Sequence, residues 1–299
     1  MIDRHPWRPG CMLGALAYIA MVGVAAAANA QNAGRNILLQ IRPRVGDTLH
    51  LRFEQQEEMR GTGRLGSSVA DTTITMTRSM VLLSRVLVQS SDDEGTVVLT
   101  VTDSVAISAS GGRNAAPTES IRRSLQGSRV RMRITPEGSA TVLDDAGALT
   151  PDLQSITAQM PASFPRHPVS VGSTWRQVMP IPVSGQATSG SAATLNSTFR
   201  LDSISRDGAV AFISMRGTLS RDPAAGGAAE EGIKITSSGS MKGTLVVDLK
   251  RKWWADSRAT ISLNSTLSPP GGASGEPIRV QSRISTWMRA TKRPPPPTP

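Results

Sequence analysis

Alternation of apolar and polar residues with a period of two runs through most of this 299-residue chain. Successive side chains of a β-strand point to opposite faces of its sheet, so each such run predicts a strand with one face in the core. In the clearest run, apolar residues alternate with three arginines: Arg129, Val130, Arg131, Met132, Arg133 and Ile134. Similar runs occupy residues 49–54, 73–77, 96–107, 198–204, 209–215, 244–249, 259–263 and 278–286. The pattern predicts a mainly β fold.

Short glycine-containing turn sequences separate these runs. They are Asp92–Gly95, Pro136–Gly138, Asp144–Gly147 and Arg206–Gly208. Acidic residues and glycine favour tight turns, and two strands joined by a tight turn pair antiparallel. The chain is therefore predicted to form an antiparallel meander.

One segment departs from the strand pattern. Thr150, Pro151 and Asp152 have the order of an N-cap, a first-turn proline and a first-turn acid, which predicts a short helix near residues 151–160. The prolines of the following stretch, residues 161–168, favour an extended connector.

The sequence also repeats itself on the two sides of this connector. Val45–Leu49 (VGDTL) is echoed by Val171–Trp175 (VGSTW), and the hairpin at residues 93–98 is echoed at 206–211. A repeat indicates duplicated supersecondary units, although chance similarity among strands of like composition is the competing interpretation. The predicted organisation is two similar halves that form a half-barrel or barrel-like sheet. Its segments are residues 31–149 (first β half), 150–168 (helix and connector), 169–290 (second β half) and 291–299 (disordered Pro-rich tail).

The first thirty residues have the composition of a secretory signal peptide. Arg4 and Arg8 precede an apolar run over residues 11–28, which ends in the small-x-small sequence Ala28-Asn29-Ala30. Cleavage is predicted between Ala30 and Gln31, so the chain is expected in the periplasm or outside the cell and is not an integral membrane protein after cleavage. The alternative, an uncleaved anchor, requires this run to span roughly 30 Å of hydrocarbon, for which it is barely long enough.

Motifs for catalysis or metal binding are sparse in the remaining residues. The one cysteine, Cys11, lies in the predicted signal peptide, which excludes disulfides and thiolate sites from the mature chain. Only His50 and His167 follow it, too far apart in sequence to suggest a metal site. The G-x-G-x-x-G spacing at residues 61–66 is not followed by a predicted helix, which a nucleotide site requires. No enzyme activity, cofactor or metal is therefore predicted.

Charge supplies the remaining indication of a partner. The chain has 33 Lys and Arg against 23 Asp and Glu, a net charge of +10. Such a surplus suits an anionic envelope surface, whereas basic residues spread along strands and an exported chain argue against nucleic acid. The predicted surface contacts are Arg129, Arg131, Arg133, Trp253 and Trp254. Since adjacent strand residues face opposite sides, at least one of these tryptophans is alternatively a core residue.

Three short motifs resemble a known family. Val45–Leu49, Pro168–Trp175 and Ser240–Asp248 (SMKGTLVVD) are similar to secreted bacterial proteins of the uncharacterised DUF6263 type. The resemblance implies a bacterial envelope protein of unknown function. By architectural analogy, the predicted two-halved sheet is also similar to half-barrel lipid carriers of the cell envelope, in which a curved sheet wraps an apolar cavity under a short helix.

The sequence thus favours a non-enzymatic envelope binding protein for an apolar or amphiphilic ligand. The alternative is a structural or adhesive β module that contacts an anionic surface through its basic strand faces. A third hypothesis is an enzyme whose catalytic triad cannot be recognised from the sequence. It requires Ser, His and acidic side chains that converge in the fold. A connected apolar cavity of several hundred Å³ would separate the first hypothesis from the second.

Overall fold

The computed structural model describes residues 36–63, 72–111, 117–143, 164–182, 192–221, 234–268 and 277–291. Within them the chain forms one helix, α1 (Pro117–Leu125), and eleven strands: β1 (Thr48–Gly63), β2 (Thr72–Ser91), β3 (Thr96–Ser110), β4 (Arg129–Ile134), β5 (Ala140–Val142), β6 (Thr174–Pro182), β7 (Ala192–Ile204), β8 (Val210–Arg221), β9 (Lys234–Asp248), β10 (Trp253–Ser268) and β11 (Ile278–Thr291).

All eleven strands belong to one antiparallel sheet. Its order is β5-β4-β3-β2-β1-β11-β10-β9-β8-β7-β6, so each strand pairs with its neighbours in the chain, except that β1 pairs with β11 and β5 does not pair with β6 within the described residues. The predicted mainly β antiparallel meander is confirmed. The sheet is not closed, and its two edges are β5 and β6.

The two faces of the sheet differ as the alternation predicts. On β4, Val130 and Met132 are buried while Arg129 is exposed, and on β7 Phe199 is buried while Thr198 is exposed. We call the face that carries the buried core the inner face, and the opposite face the outer face. Hydrophobic burial on one face and solvation of the other is the usual arrangement in antiparallel sheets.

The ends of the sheet also differ. The tight connections β2–β3, β4–β5, β7–β8 and β9–β10 all lie at one end, here the closed end. The connections β1–β2, β6–β7, β8–β9 and β10–β11 leave the opposite end, here the open end, and fall outside the described residues.

An N-terminal segment bridges the edges of the sheet at the closed end. Ile37 exchanges backbone hydrogen bonds of 2.8 Å with Val169, shortly before β6, and the Ile41 amide donates to Pro136, just after β4, at 2.8 Å. Because one short segment reaches both edge regions, the sheet must curl around its inner face. The edges are joined through this segment instead of through direct strand pairing.

The same segment fills the closed end with apolar side chains. Leu39 and Ile41 are fully buried and belong to one core cluster with Phe164, Trp253 and Trp254. Burial of this many large apolar groups is the main favourable contribution to the curled form.

Glycines on the inner face allow the curl. Gly217 lies on β8, and Gly239 and Gly243 lie on β9. A Cβ atom placed at Gly243 would lie 2.2 Å from the backbone oxygen of Arg258 on β10, and one at Gly239 would lie 2.4 Å from that of Ser262. The strands approach too closely here for a side chain, as expected where glycines bend a sheet.

The two predicted repeat motifs form the same turn. Gly46 and Gly172 have φ angles of 87° and 92°, in the left-handed region that favours glycine. The Gly46 amide donates to the Val88 carbonyl at 3.0 Å, and the Gly172 amide donates to the Leu201 carbonyl at 2.7 Å. A register shift follows in both partner strands, at 88–90 and at 201–203. The turns that open β1 and β6 are therefore structurally equivalent.

The helix of the described chain was not the one predicted. The predicted helix at 151–160 and the turn at 144–147 lie outside the described residues, as do the predicted signal peptide with its Ala30–Gln31 cleavage site and residues 292–299 of the predicted Pro-rich tail. Thr291, the first residue of that predicted tail, instead ends β11. Helix α1 instead forms at Pro117–Leu125, where no helix was predicted. Glu119 accepts a 2.6 Å hydrogen bond from Arg122 one turn later, and Gly127, with φ 78°, follows the helix.

Candidate functional site

The inner face is divided into two zones along the strands. Near the closed end it is filled. Inner-face side chains from both halves of the sheet are buried there: Leu51, Val86, Val98, Met132, Leu201, Ile213, Leu245 and Trp254. Toward the open end, the apolar side chains of the inner face are only partly covered on β2, β1, β11 and β10, whereas Leu195 on β7 and Leu219 on β8 remain buried. This difference makes the open half of the inner face the candidate functional site.

The exposed or half-buried apolar residues of this half come from four adjacent strands. We call them the open apolar zone: Met59 on β1, Ile74 and Met76 on β2, Ile261 and Leu263 on β10, and Val280 and Ile284 on β11. Met59 lies opposite Met76, and Ile261 lies opposite Ile284. Ile74 and Met76 are 41% and 40% exposed. A group of incompletely covered apolar side chains on a concave face is typical of a ligand or partner site.

A charged pair interrupts this apolar surface. Glu57 and Arg78 lie directly opposite each other on the inner face of β1 and β2, and both are half-buried. Ile284 lies opposite Glu57 on the other side of β1. No ion pair joins either group to another described residue. A carboxylate and a guanidinium beside an apolar zone can bind the polar end of an amphiphile.

Several buried polar atoms have no hydrogen-bond partner among the described residues. They include Thr100 Oγ1 and Ser197 Oγ on the inner face and the indole Nε1 atoms of Trp253 and Trp254. Buried polar groups are normally satisfied by protein or by ordered water. These atoms therefore mark places inside the curl where water or a polar ligand atom would be stabilised.

The three predicted arginines of β4 lie on the outer face, as their alternation indicated. Arg129 is exposed, whereas Arg133 is ion-paired with Glu94 in the β2–β3 turn. The basic row is thus partly neutralised by a neighbouring hairpin, which the sequence of β4 alone does not reveal.

The prediction that Trp253 and Trp254 contact a surface is wrong. Each ring is 1% exposed, and the two rings meet edge to face at a centroid distance of 4.8 Å inside the core. Both are the first residues of β10 at the closed end, where the N-terminal segment runs alongside and the Arg42 amide donates a 3.0 Å hydrogen bond to the Lys252 carbonyl. The rule that adjacent strand residues face opposite sides therefore did not leave one of them exposed.

The remaining tryptophans of the described chain lie on opposite faces. Trp175 stacks on Phe199 at 5.8 Å on the inner face. Trp287 lies on the outer face between the guanidinium groups of Arg258 and Arg289, at 4.7 and 4.6 Å, and donates a 2.9 Å hydrogen bond to Asp256. Both arrangements are accounted for by packing and cation–π attraction.

The described residues contain neither a cluster of metal ligands nor a membrane-spanning helix. No group of three or more His, Cys, Asp or Glu side chains in them is arranged to hold a metal ion. Their helices include none with the length and apolar character needed to cross a membrane.

Comparison with known proteins gives one partial family match and no activity. The family model of DUF6263, described as a family of unknown function, matches residues 150–254 and confirms the resemblance over that part of the chain. No curated protein sequence matches the chain.

Among solved structures, two outer-membrane proteins are remotely similar. An outer membrane channel from Pseudomonas putida F1 is 10% identical with a TM-score of 0.21, and the match covers 85% of this chain and 98% of that one. OccK11 (OpdR) from Pseudomonas aeruginosa is 9% identical with a TM-score of 0.24, over 86% and 100% of the two chains. Likenesses this remote carry no inference about function.

Proposed function

We propose that this chain is an exported, non-enzymatic envelope protein that binds one amphiphilic ligand along the open half of its inner face. The observation that carries the proposal is the open apolar zone, a set of half-exposed Met, Ile, Leu and Val side chains on the concave face of a curled sheet. Flexible methionines such as Met59 and Met76 adapt to an acyl chain of variable shape. Export is proposed from the signal-peptide composition of residues 1–30.

The charged pair sets the expected orientation of the ligand. Glu57 and Arg78 lie on the inner face, one inward-facing position from Met59 and Met76 and farther from the open end. An acyl chain packed on the apolar residues would therefore leave a zwitterionic or anionic head within reach of Arg78. The filled closed end limits how deeply the head can lie.

A charge placed within the open apolar zone is expected to weaken ligand binding. Met76→Glu puts a carboxylate on the inner face where the acyl chain would pack, and burying it on binding costs well over the ~1.4 kcal/mol that equals a factor of ten in affinity. The dissociation constant for a dansyl-labelled fatty acid, followed by fluorescence titration, should rise at least about tenfold.

The matched control is Thr75→Glu, which introduces the same charge one residue away on the exposed outer face of β2. Its affinity should stay within about twofold of the parent. Because Met76 is already 40% exposed, both variants are expected to fold, which a circular dichroism melt verifies. Equal affinity for the two variants would contradict the proposed site.

A further inference from the structure

The outer face of the second half of the sheet carries an unneutralised row of cations. Arg216 on β8 and Lys242 on β9 lie directly opposite each other in the strand register. Arg176 on β6 is in line with them, separated from Arg216 only by Thr198 on β7. We call Arg176, Arg216 and Lys242 the cationic row. It spans about 14 Å across four strands, given a strand spacing near 4.8 Å.

The cationic row has no carboxylate partner among the described residues. All three side chains are exposed, and none forms an ion pair with a described acid. The positions that flank the row along β8 and β9 are hydroxyl residues, namely Ser214, Thr218, Ser240 and Thr244. Like charges directly opposite each other destabilise a strand pair. A row of like charges that no neighbouring carboxylate neutralises is therefore suited to an anionic partner.

Two exposed apolar side chains flank the row on the same face. Val178 follows Arg176 by two positions on β6 and is 62% exposed, and Phe212 precedes Arg216 by four positions on β8 and is 42% exposed. Cations interleaved with exposed apolar groups are typical of surfaces that lie on a bilayer, where the charges meet headgroups and the apolar groups enter the interface. A soluble polyanion, in contrast, offers no apolar region for these two side chains to enter.

We propose that this outer surface, formed by the cationic row with Val178 and Phe212, docks on an anionic lipid bilayer. Cationic side chains on a sheet stand roughly parallel and do not converge on a point, which matches an extended field of headgroups better than a single small anion. The site lies on the face opposite the open apolar zone, so docking does not depend on a ligand bound there.

Vesicle flotation tests this proposal. The mature protein is mixed at low salt with vesicles of phosphatidylcholine alone or with one quarter phosphatidylglycerol. We expect binding to the anionic vesicles only. Removing three surface charges in Arg176→Gln/Arg216→Gln/Lys242→Gln should lower the partition coefficient on the order of 100-fold, since each basic residue near an anionic surface contributes about a factor of five.

A matched triple variant separates the patch from net charge. Arg60→Gln/Arg129→Gln/Arg206→Gln removes three exposed cations scattered over β1, β4 and the β7–β8 turn. It should lower binding only a few-fold. Equal losses in the two triple variants would overturn the proposal, because binding would then follow total charge.

Three further measurements keep the outcomes distinct. Phe212→Ser leaves the charge unchanged and should still weaken binding several-fold, and tighter binding to soluble dextran sulfate than to anionic vesicles would overturn the lipid assignment. Met76→Glu, which is expected to lose the fatty acid, should retain vesicle binding. Loss of both activities in Met76→Glu would instead show that vesicle binding proceeds through the inner face.

Discussion

Replacing Trp254 with alanine is expected to lower the free energy of unfolding by about 3–5 kcal/mol. Trp254 is 1% exposed, and its indole packs edge to face on that of Trp253 at 4.8 Å in the apolar core of the closed end. Its removal exposes apolar surface and leaves a cavity that neighbouring strands cannot fill without straightening. Urea unfolding followed by circular dichroism measures the loss.

Two control substitutions separate core packing from other effects. Trp287→Ala removes the same side chain from the outer face and should cost only about 1–2 kcal/mol, mainly through the lost stacking with Arg258 and Arg289. Trp254→Phe keeps an aromatic ring but removes an indole N–H that has no partner among the described residues, so it should cost less than about 2 kcal/mol. Equal losses for Trp254→Ala and Trp287→Ala would contradict the position of Trp254 in the core.

Gly243→Ala is expected to destabilise the protein by about 1–3 kcal/mol, the usual cost of an overpacked position. The new Cβ would lie 2.2 Å from the Arg258 backbone oxygen and 2.5 Å from Met215 Cε. Met215 can move, but the backbone oxygen can retreat only if β9 and β10 separate. The curl of the sheet therefore depends on the missing side chain at this position.

Gly61 provides the matched control. It also lies within a strand on the inner face, but a Cβ there would meet no atom within 4 Å. Gly61→Ala should leave stability within about 1 kcal/mol of the parent and on the stabilising side, because alanine restricts the unfolded chain. If thermal melts give the two alanine variants the same midpoint, the requirement for glycine at position 243 does not come from the close approach of β9 and β10.

Alternation and turn chemistry were sufficient to predict most of the strands. Burial on β4 follows the sequence residue by residue, and the predicted turns at Asp92–Gly95, Pro136–Gly138 and Arg206–Gly208 connect consecutive strands. These features depend on local chemistry, which a single sequence carries in full. The pairing of β1 with β11 is different in kind, because no local signal specifies which distant strand completes the sheet.

Helix α1 had local signals that were outweighed by composition. Pro117 at its start, Glu119 in the first turn and Gly127 beyond its end are ordinary helix boundary residues. The preceding residues are rich in Ala, Gly and Ser, which do not indicate a helix, and no helix was predicted at this position. The nine-residue helix is short, so its apolar side is represented mainly by Ile121 and Leu125 and gives a weak periodic signal.

The residues of the candidate sites could not be grouped from the sequence, because their grouping depends on the strand register. Arg129, Arg131 and Arg133 are visible in sequence because they lie along one strand, whereas the cationic row runs across β6, β8 and β9 and exists only once the register is known. Likewise Glu57 and Arg78 are ordinary polar residues in sequence. They become notable because the register places them opposite each other on the inner face.

The open inner face as a ligand site is tested most directly by photo-crosslinking with a phospholipid that carries a diazirine in its acyl chain. The mature protein is irradiated with this lipid, digested and mapped by mass spectrometry, with unlabelled lipid as competitor. We predict competitor-sensitive adducts on the inner-facing residues Met59, Met76, Ile261, Leu263 and Ile284. Adducts confined to outer-face residues such as Val178 and Phe212, or none that the competitor removes, would contradict ligand binding on the inner face.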